Sequence, residues 1–141
     1  MTITLSDEAR RLMGLFAEIT DVRPRDCLVR GDDRVVFVVP AGEMSTAIGP
    51  DGRTVGRVED RAGVAVDLVE DADRAETFVA NALSPAAVRN VTVSEQGDTT
   101  VAYAEVPEND RGAAIGADGR NIGLARDLAA RHFDVDDVQL A

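Results

Sequence analysis

The segment Ile48-Gly49-Pro50-Asp51-Gly52-Arg53-Thr54-Val55-Gly56 recurs 67 residues later as Ile115-Gly116-Ala117-Asp118-Gly119-Arg120-Asn121-Ile122-Gly123. Aligned without gaps, residues 47–62 match 114–129 at nine of sixteen positions. A repeat of that quality in 141 residues constrains the fold more than any other feature, because it makes the chain two copies of one structural unit. Units of about 70 residues are marginal alone, so the two are expected to pack together. Each copy sets Ile-Gly-x-x-Gly between two helical patterns. Glycines there let backbone N–H groups face outward, and something flat or charged can approach with no Cβ in its way.

Around the first copy, Leu5, Ala9, Leu12, Phe16 and Ile19 recur at helical spacing, with Met13 and Leu15 widening the stripe. Ser6 is suited to cap that helix, Asp7 and Glu8 sit at its favourable end, and Pro24 with its polar neighbours is expected to end it. Cys27-Leu28-Val29, a Gly31-Asp32-Asp33 turn and residues 35–39 read as a β-hairpin. Pro40 stops the second strand and suits the first turn of a short helix running to Ile48. A further helix covers 53–62, Gly63 ends it, and Val64, Val66 and Leu68 alternate as a third strand. The predicted order is α-β-β-α-α-β.

The acidic stretch Glu70-Asp71-Ala72-Asp73 is a junction too short for a flexible linker, giving domains 1–70 and 71–141. Asp71 or Asp73 is expected to cap the next helix, whose apolar face is Ala75, Phe78, Val79, Ala82 and Leu83 and which Ser84-Pro85 closes. Residues 88–94 and 99–106 form a second hairpin about Gln96-Gly97-Asp98. Pro107 lies 67 residues after Pro40, so the register of the repeat extends beyond the glycine turn. A short helix to Ile115, a helix from Arg120 to about residue 131 and a strand at Val135, Val138 and Leu140 repeat the order α-β-β-α-α-β.

Charge bears directly on what approaches the turns. The net of −11 comes from 26 acids against 15 bases. Every base is arginine, there is no lysine, and seventeen of the acids are aspartate. That pattern resembles proteins of extreme halophiles, whose acidic surface stays hydrated in molar salt. An excess of acid ordinarily argues against nucleic acid. In molar salt the Debye length is only about 3 Å, so surface acids a few ångströms from a ligand hardly repel it. Binding through counterion release fades in the same conditions.

Other chemistry finds little support. No apolar run reaches the roughly 20 residues of a membrane span, and Met1-Thr2-Ile3-Thr4 opens no signal peptide, so a cytoplasmic protein without membrane contact is expected. The single Cys27 excludes an intrachain disulfide and any cysteine-based zinc cluster, and its apolar strand makes it a small buried hydrophobe. His132 is the only histidine and reads as a helix-end residue. The carboxylates follow no calcium-loop spacing. Tyr103 and the four phenylalanines fall mostly on apolar stripes, which favours core packing over base stacking. Neither glycine turn has the Gly-Lys-Ser/Thr of a Walker loop or the Gly-x-Gly-x-x-Gly of a dinucleotide fold. No enzyme, cofactor or metal is expected.

An Ile-Gly-x-x-Gly turn between two helices, entered from a strand and left into one, resembles the K-homology (KH) RNA-binding domain. The α-β-β-α-α-β order is similar to the prokaryotic, type II variety. Two such units in tandem resemble the archaeal NusA-like transcription termination factors, over roughly residues 5–141. The resemblance implies an α+β fold of two tandem type II KH domains, each a three-stranded sheet packed by helices. It also implies single-stranded RNA as partner, with RNA polymerase as a further one, and leaves the oligomeric state open.

In such domains the turn holds the sugar–phosphate backbone of about four nucleotides while bases lie in an adjoining apolar groove. Carried over by residue, Gly49, Pro50, Asp51 and Gly52 form one clamp, and Gly116, Ala117, Asp118 and Gly119 the other. Arg53 and Arg120 follow the clamps and suit charge-assisted phosphate contacts. Ile48, Val55, Ile115 and Ile122 would floor the grooves, though such positions equally serve a core. By the same resemblance Arg57, a turn further on, would reach the RNA strand in unit one, where unit two has Leu124. Many KH turns carry Lys or Arg at the variable positions, and this chain has Pro-Asp and Ala-Asp. Either Asp51 and Asp118 cap the following helix with oxygens inward, or one clamp, the first above all, has lost RNA contact. The resemblance implies transcription termination or antitermination. A KH-type factor of ribosome assembly or RNA metabolism and an acidic scaffold on RNA polymerase with degenerate clamps are the alternatives.

Overall fold

A computed structural model describes residues 5–141, and the opening Met1-Thr2-Ile3-Thr4 lies outside them. The described chain is a mixed α+β structure that divides into two compact units between Asp71 and Ala72.

In the first unit, helix α1 (Asp7–Thr20) begins where the Ser6 hydroxyl accepts the Ala9 N–H at 3.1 Å, as its position before an acidic first turn predicts. The helix ends earlier than Pro24. Asp21 takes a left-handed conformation (φ 61°) and returns its N–H to the Ala17 carbonyl at 2.9 Å. The buried Thr20 hydroxyl donates to the Phe16 carbonyl at 2.8 Å and accepts the Val22 N–H at 3.0 Å, so both its donor and its acceptor are used.

Strands β1 (Asp26–Arg30) and β2 (Arg34–Val39) pair antiparallel, and β3 (Ala65–Glu70) pairs parallel to β2, which is therefore central. Residues 35–39 are all buried, consistent with their unbroken run of Val and Phe. Helices α2 (Met44–Ile48) and α3 (Arg53–Ala62) make the crossover from β2 to β3. Phe16 stacks on Phe37 with ring centroids 4.3 Å apart, in a core that also holds Leu12, Cys27, Ala47 and Val58. A bidentate pair from Arg34 to Asp67, at 2.7 and 3.3 Å, joins β2 to β3. Pro40 does not enter a helix. Its carbonyl accepts the Glu43 N–H at 3.1 Å in a turn ahead of α2. Val64 precedes β3.

The second unit repeats the order with α4 (Ala75–Ala82), β4 (Asn90–Gln96), β5 (Thr99–Glu105), α5 (Arg111–Ile115), α6 (Arg120–Phe133) and β6 (Asp137–Leu140). Its sheet is again antiparallel then parallel, with β5 central. Neither Asp71 nor Asp73 caps α4. Arg74 stands at that position in extended conformation, and its side chain makes no capping bond. Strand β4 starts after Val88, because Asn90 is the first residue in register with β5. Pro107 leads into a 3-10 turn at Glu108–Asp110. Helix α6 extends to Phe133, two residues beyond 131, and stops at a left-handed Asp134. The His132 and Phe133 rings lie 5.4 and 5.1 Å from Phe78, which is fully buried.

Candidate nucleic-acid interface

Both Gly-x-x-Gly turns are built the same way from their own residues. The N–H of Gly49 closes α2 on the Ser45 carbonyl at 2.9 Å, and that of Gly116 closes α5 on Gly112 at 2.9 Å. The second glycine of each then bonds to the first, Gly52 to Gly49 and Gly119 to Gly116, both at 3.1 Å. Backbone angles repeat to within a few degrees. Gly49 has φ 76°, ψ 173° and Gly116 φ 76°, ψ 170°. Gly52 has φ 74°, ψ 13° and Gly119 φ 73°, ψ 15°.

The two glycines of a turn do different work. The first lies in a conformation open essentially to glycine alone. A Cβ there would also collide with the next helix: at Gly49 it would fall 2.6 Å from the Thr54 Cβ, and at Gly116 2.8 Å from the Asn121 Cβ. The second glycine is left-handed, and a Cβ on Gly52 or Gly119 would meet nothing within 4 Å. It presents bare backbone at the start of α3 or α6, where the amides of the first helical turn favour an anion.

Asp51 and Asp118 do not turn inward to cap these helices. Each is itself left-handed (φ 54° and 56°) and exposed, and Gly52 and Gly119 hold the capping positions without a side-chain cap. Aspartate is among the few residues that tolerate that conformation. Pro50 and Ala117, the remaining variable residues, are exposed.

The arginines that follow differ. Arg53 folds back, its Nε donating to the Pro50 carbonyl at 3.3 Å and its Nη2 lying 3.8 Å from Asp51 Oδ2. Both side chains are mostly exposed, so this pair is weak and easily opened. Arg120 is exposed and makes no bond to any described residue. Asn121, where the first unit has Thr54, donates its amide to the Leu83 carbonyl at 3.0 Å and to Ala113 at 3.1 Å. It thereby ties α6 to both α5 and the end of α4. The repeat gave no sign of this, because 54 and 121 are not identical.

Of the groove residues, Ile48 and Ile115 are exposed at 37% and 40%, and with Val29 they are the exposed large hydrophobics among the described residues. Both sit at the last helical residue before a glycine turn. Val55 is half-buried, and Arg57 is exposed on α3. Ile122 is buried at 7% and is a core residue backing the turn rather than an open floor. Among the described residues no group of three or more His, Cys, Asp or Glu is placed to hold a metal ion, and no helix is long and apolar enough to cross a membrane.

The family described as "NusA-like second KH domain" matches residues 75–141. A protein of Halobacterium salinarum named "Probable transcription termination protein NusA" is 64% identical over 99% of this chain and 99% of its own length. The chain belongs to the NusA family of transcription termination proteins. A NusA of the same name from Halococcus morrhuae is 59% identical over the full length of both chains. The "Transcription termination/antitermination protein NusA" of Mycobacterium tuberculosis is 38% identical over 62% of this chain but only 25% of its own length. Among solved structures, the crystal structure of APE1850 matches with a TM-score of 0.85 and 30% identity, covering 97% of this chain and all of that one. The two Halobacteria-type relatives agree with the acidic, lysine-free composition as a mark of a halophilic NusA.

Proposed function

We propose that this NusA-family chain is two type II KH domains, 1–70 and 71–141, that grip single-stranded RNA through their glycine turns and so act in transcription termination or antitermination. The observation that carries the reading is the duplicated turn. Its second glycine faces open space in both copies, beside an exposed isoleucine and an exposed arginine. The sugar–phosphate chain passes over Gly52 or Gly119, where no side chain blocks the approach and the first amides of the helix favour phosphate. Bases then lie toward Ile48 or Ile115. Arg53, Arg120 and the variable residues Pro50, Asp51, Ala117 and Asp118 border the strand. The role is binding rather than catalysis. The names of the relatives concern termination, so an elongating RNA polymerase in the cytoplasm is the machine on which the bound transcript would act.

The test is a Gly52→Asp/Gly119→Asp variant. Aspartate already occupies left-handed positions next door, and neither site offers a clash, so the variant should fold. Retention of single-stranded RNA in molar KCl should be abolished. Retention equal to wild type, with an unchanged circular dichroism spectrum, would overturn the reading.

A further inference from the structure

Helix α3 carries Arg53, Arg57 and Arg61, each four residues from the next. Side chains at that spacing line one helix face, with a rise of about 6 Å per step. All three are exposed, and neither Arg57 nor Arg61 is bonded to another described residue. Between α1 and α3 the row borders a hollow of about 240 Å³ lined by Ile19, Arg57, Asp60 and Arg61. Two acids share the helix. Glu59 is engaged, accepting the Val66 N–H at 2.9 Å, which leaves Asp60 as the acid in the hollow. In a chain of net charge −11, three arginines aligned from the glycine turn gather positive charge on one face of the helix. The second unit has no counterpart. The positions matching Arg57 and Arg61 are Leu124 and Leu128, both buried.

We infer that this row is a second phosphate track. Single-stranded RNA held at the first glycine turn continues past Arg53 along the exposed face of α3, with successive phosphates at Arg57 and Arg61. Ile19 in the hollow gives an unstacked base or ribose an apolar seat. Guanidinium forks suit phosphate oxygens, and an extended nucleotide chain repeats at nearly the interval of the row. That regular interval favours a polynucleotide over an acidic protein surface, whose carboxylates have no fixed repeat. The inference rests on the RNA reading above and adds a direction and a length to it: the first unit should contact more nucleotides than the second.

The experiment compares the full chain with an Arg57→Gln/Arg61→Gln variant on oligouridylates of about four and about twelve nucleotides, titrated over a range of KCl. Wild type should bind the longer RNA more tightly. The variant should lose most of the gain in affinity between the short RNA and the longer one. Its slope of log K against log salt on the longer RNA should fall by about 1.4, at roughly 0.7 for each lost phosphate contact on a single strand. Arg57→Lys/Arg61→Lys should restore most of that slope, because the charge is kept. Identical slopes and affinities for the glutamine variant and wild type on the longer RNA would overturn the track while leaving the clamp intact. Failure of wild type to bind either length would overturn the RNA reading itself, and the track with it.

Discussion

Asn121 stands directly behind Gly116, so close that a methyl group on the glycine would lie 2.8 Å from both the Asn121 Cβ and its backbone nitrogen. Thr54 stands behind Gly49 in the same way. The first glycine of each turn is therefore a packing requirement, and the second is an opening. Substituting the two should give different phenotypes. Gly116→Ala is expected to destabilise the protein by about 3 kcal/mol or more, from forbidden backbone and overpacking together. Gly119→Ala should cost about 1 kcal/mol, the price of a left-handed alanine. Denaturant unfolding in molar KCl measures both, and equal losses would contradict the division of labour between the glycines.

The two arginines that follow the turns should contribute unequally. Arg53 must leave the Pro50 carbonyl and the Asp51 carboxylate before it can meet a phosphate, whereas Arg120 has no bond to give up. Arg120→Ala is expected to weaken single-stranded RNA binding by about 1.5–3 kcal/mol, the range for a charged hydrogen bond. Arg53→Ala should weaken it by less. Fluorescence anisotropy with one oligonucleotide checks the ranking, and the reverse order would show that the self-contact of Arg53 does not matter.

Asp137 gives a stability signature that depends on pH. Its carboxyl is held below the ordinary carboxylate range by the Gln139 amide (3.0 Å), the Val138 N–H (2.8 Å) and the Arg126 guanidinium (2.9 Å), against the opposing effect of burial. A carboxyl lowered by folding contributes stability that is complete above its unfolded value and lost as pH falls through its folded one. Asp137→Asn should therefore be less stable than wild type near neutral pH. Because the pair is partly exposed, the deficit should stay below about 1 kcal/mol. The two unfolding curves should converge in the acid window below the ordinary aspartate value of about 3.9. A gap that persisted through that window would assign the effect to packing rather than charge.

Much of the fold was legible because the residues repeat their pattern twice. The apolar run of β2, the spacing of α1 and the Gly-x-x-Gly context all reappear in place. What escaped were features decided by single backbone conformations. Asp21 ends α1 ahead of Pro24 because a left-handed aspartate can close a helix, a choice that side-chain spacing does not display. Asp51 and Asp118 looked like helix caps for the same reason, being acids at a helix start, yet their own conformation sends them outward. Ile115 and Ile122 are equally apolar in sequence, and only the path of the chain separates an exposed one from a core one. The arginine row of α3 was visible only one residue at a time, since its meaning depends on which face of the helix meets solvent.

The near-identical angles of the two turns carry a consequence for how such a chain can diverge. Each loop draws its shape from a glycine, a neighbouring backing residue and short local bonds, all within its own copy. Residues at the rim can then be exchanged without disturbing that shape, as Pro50 against Ala117 already illustrates. Duplication in this form separates architecture from affinity. One copy is free to specialise in length of grip while its twin keeps the original bite.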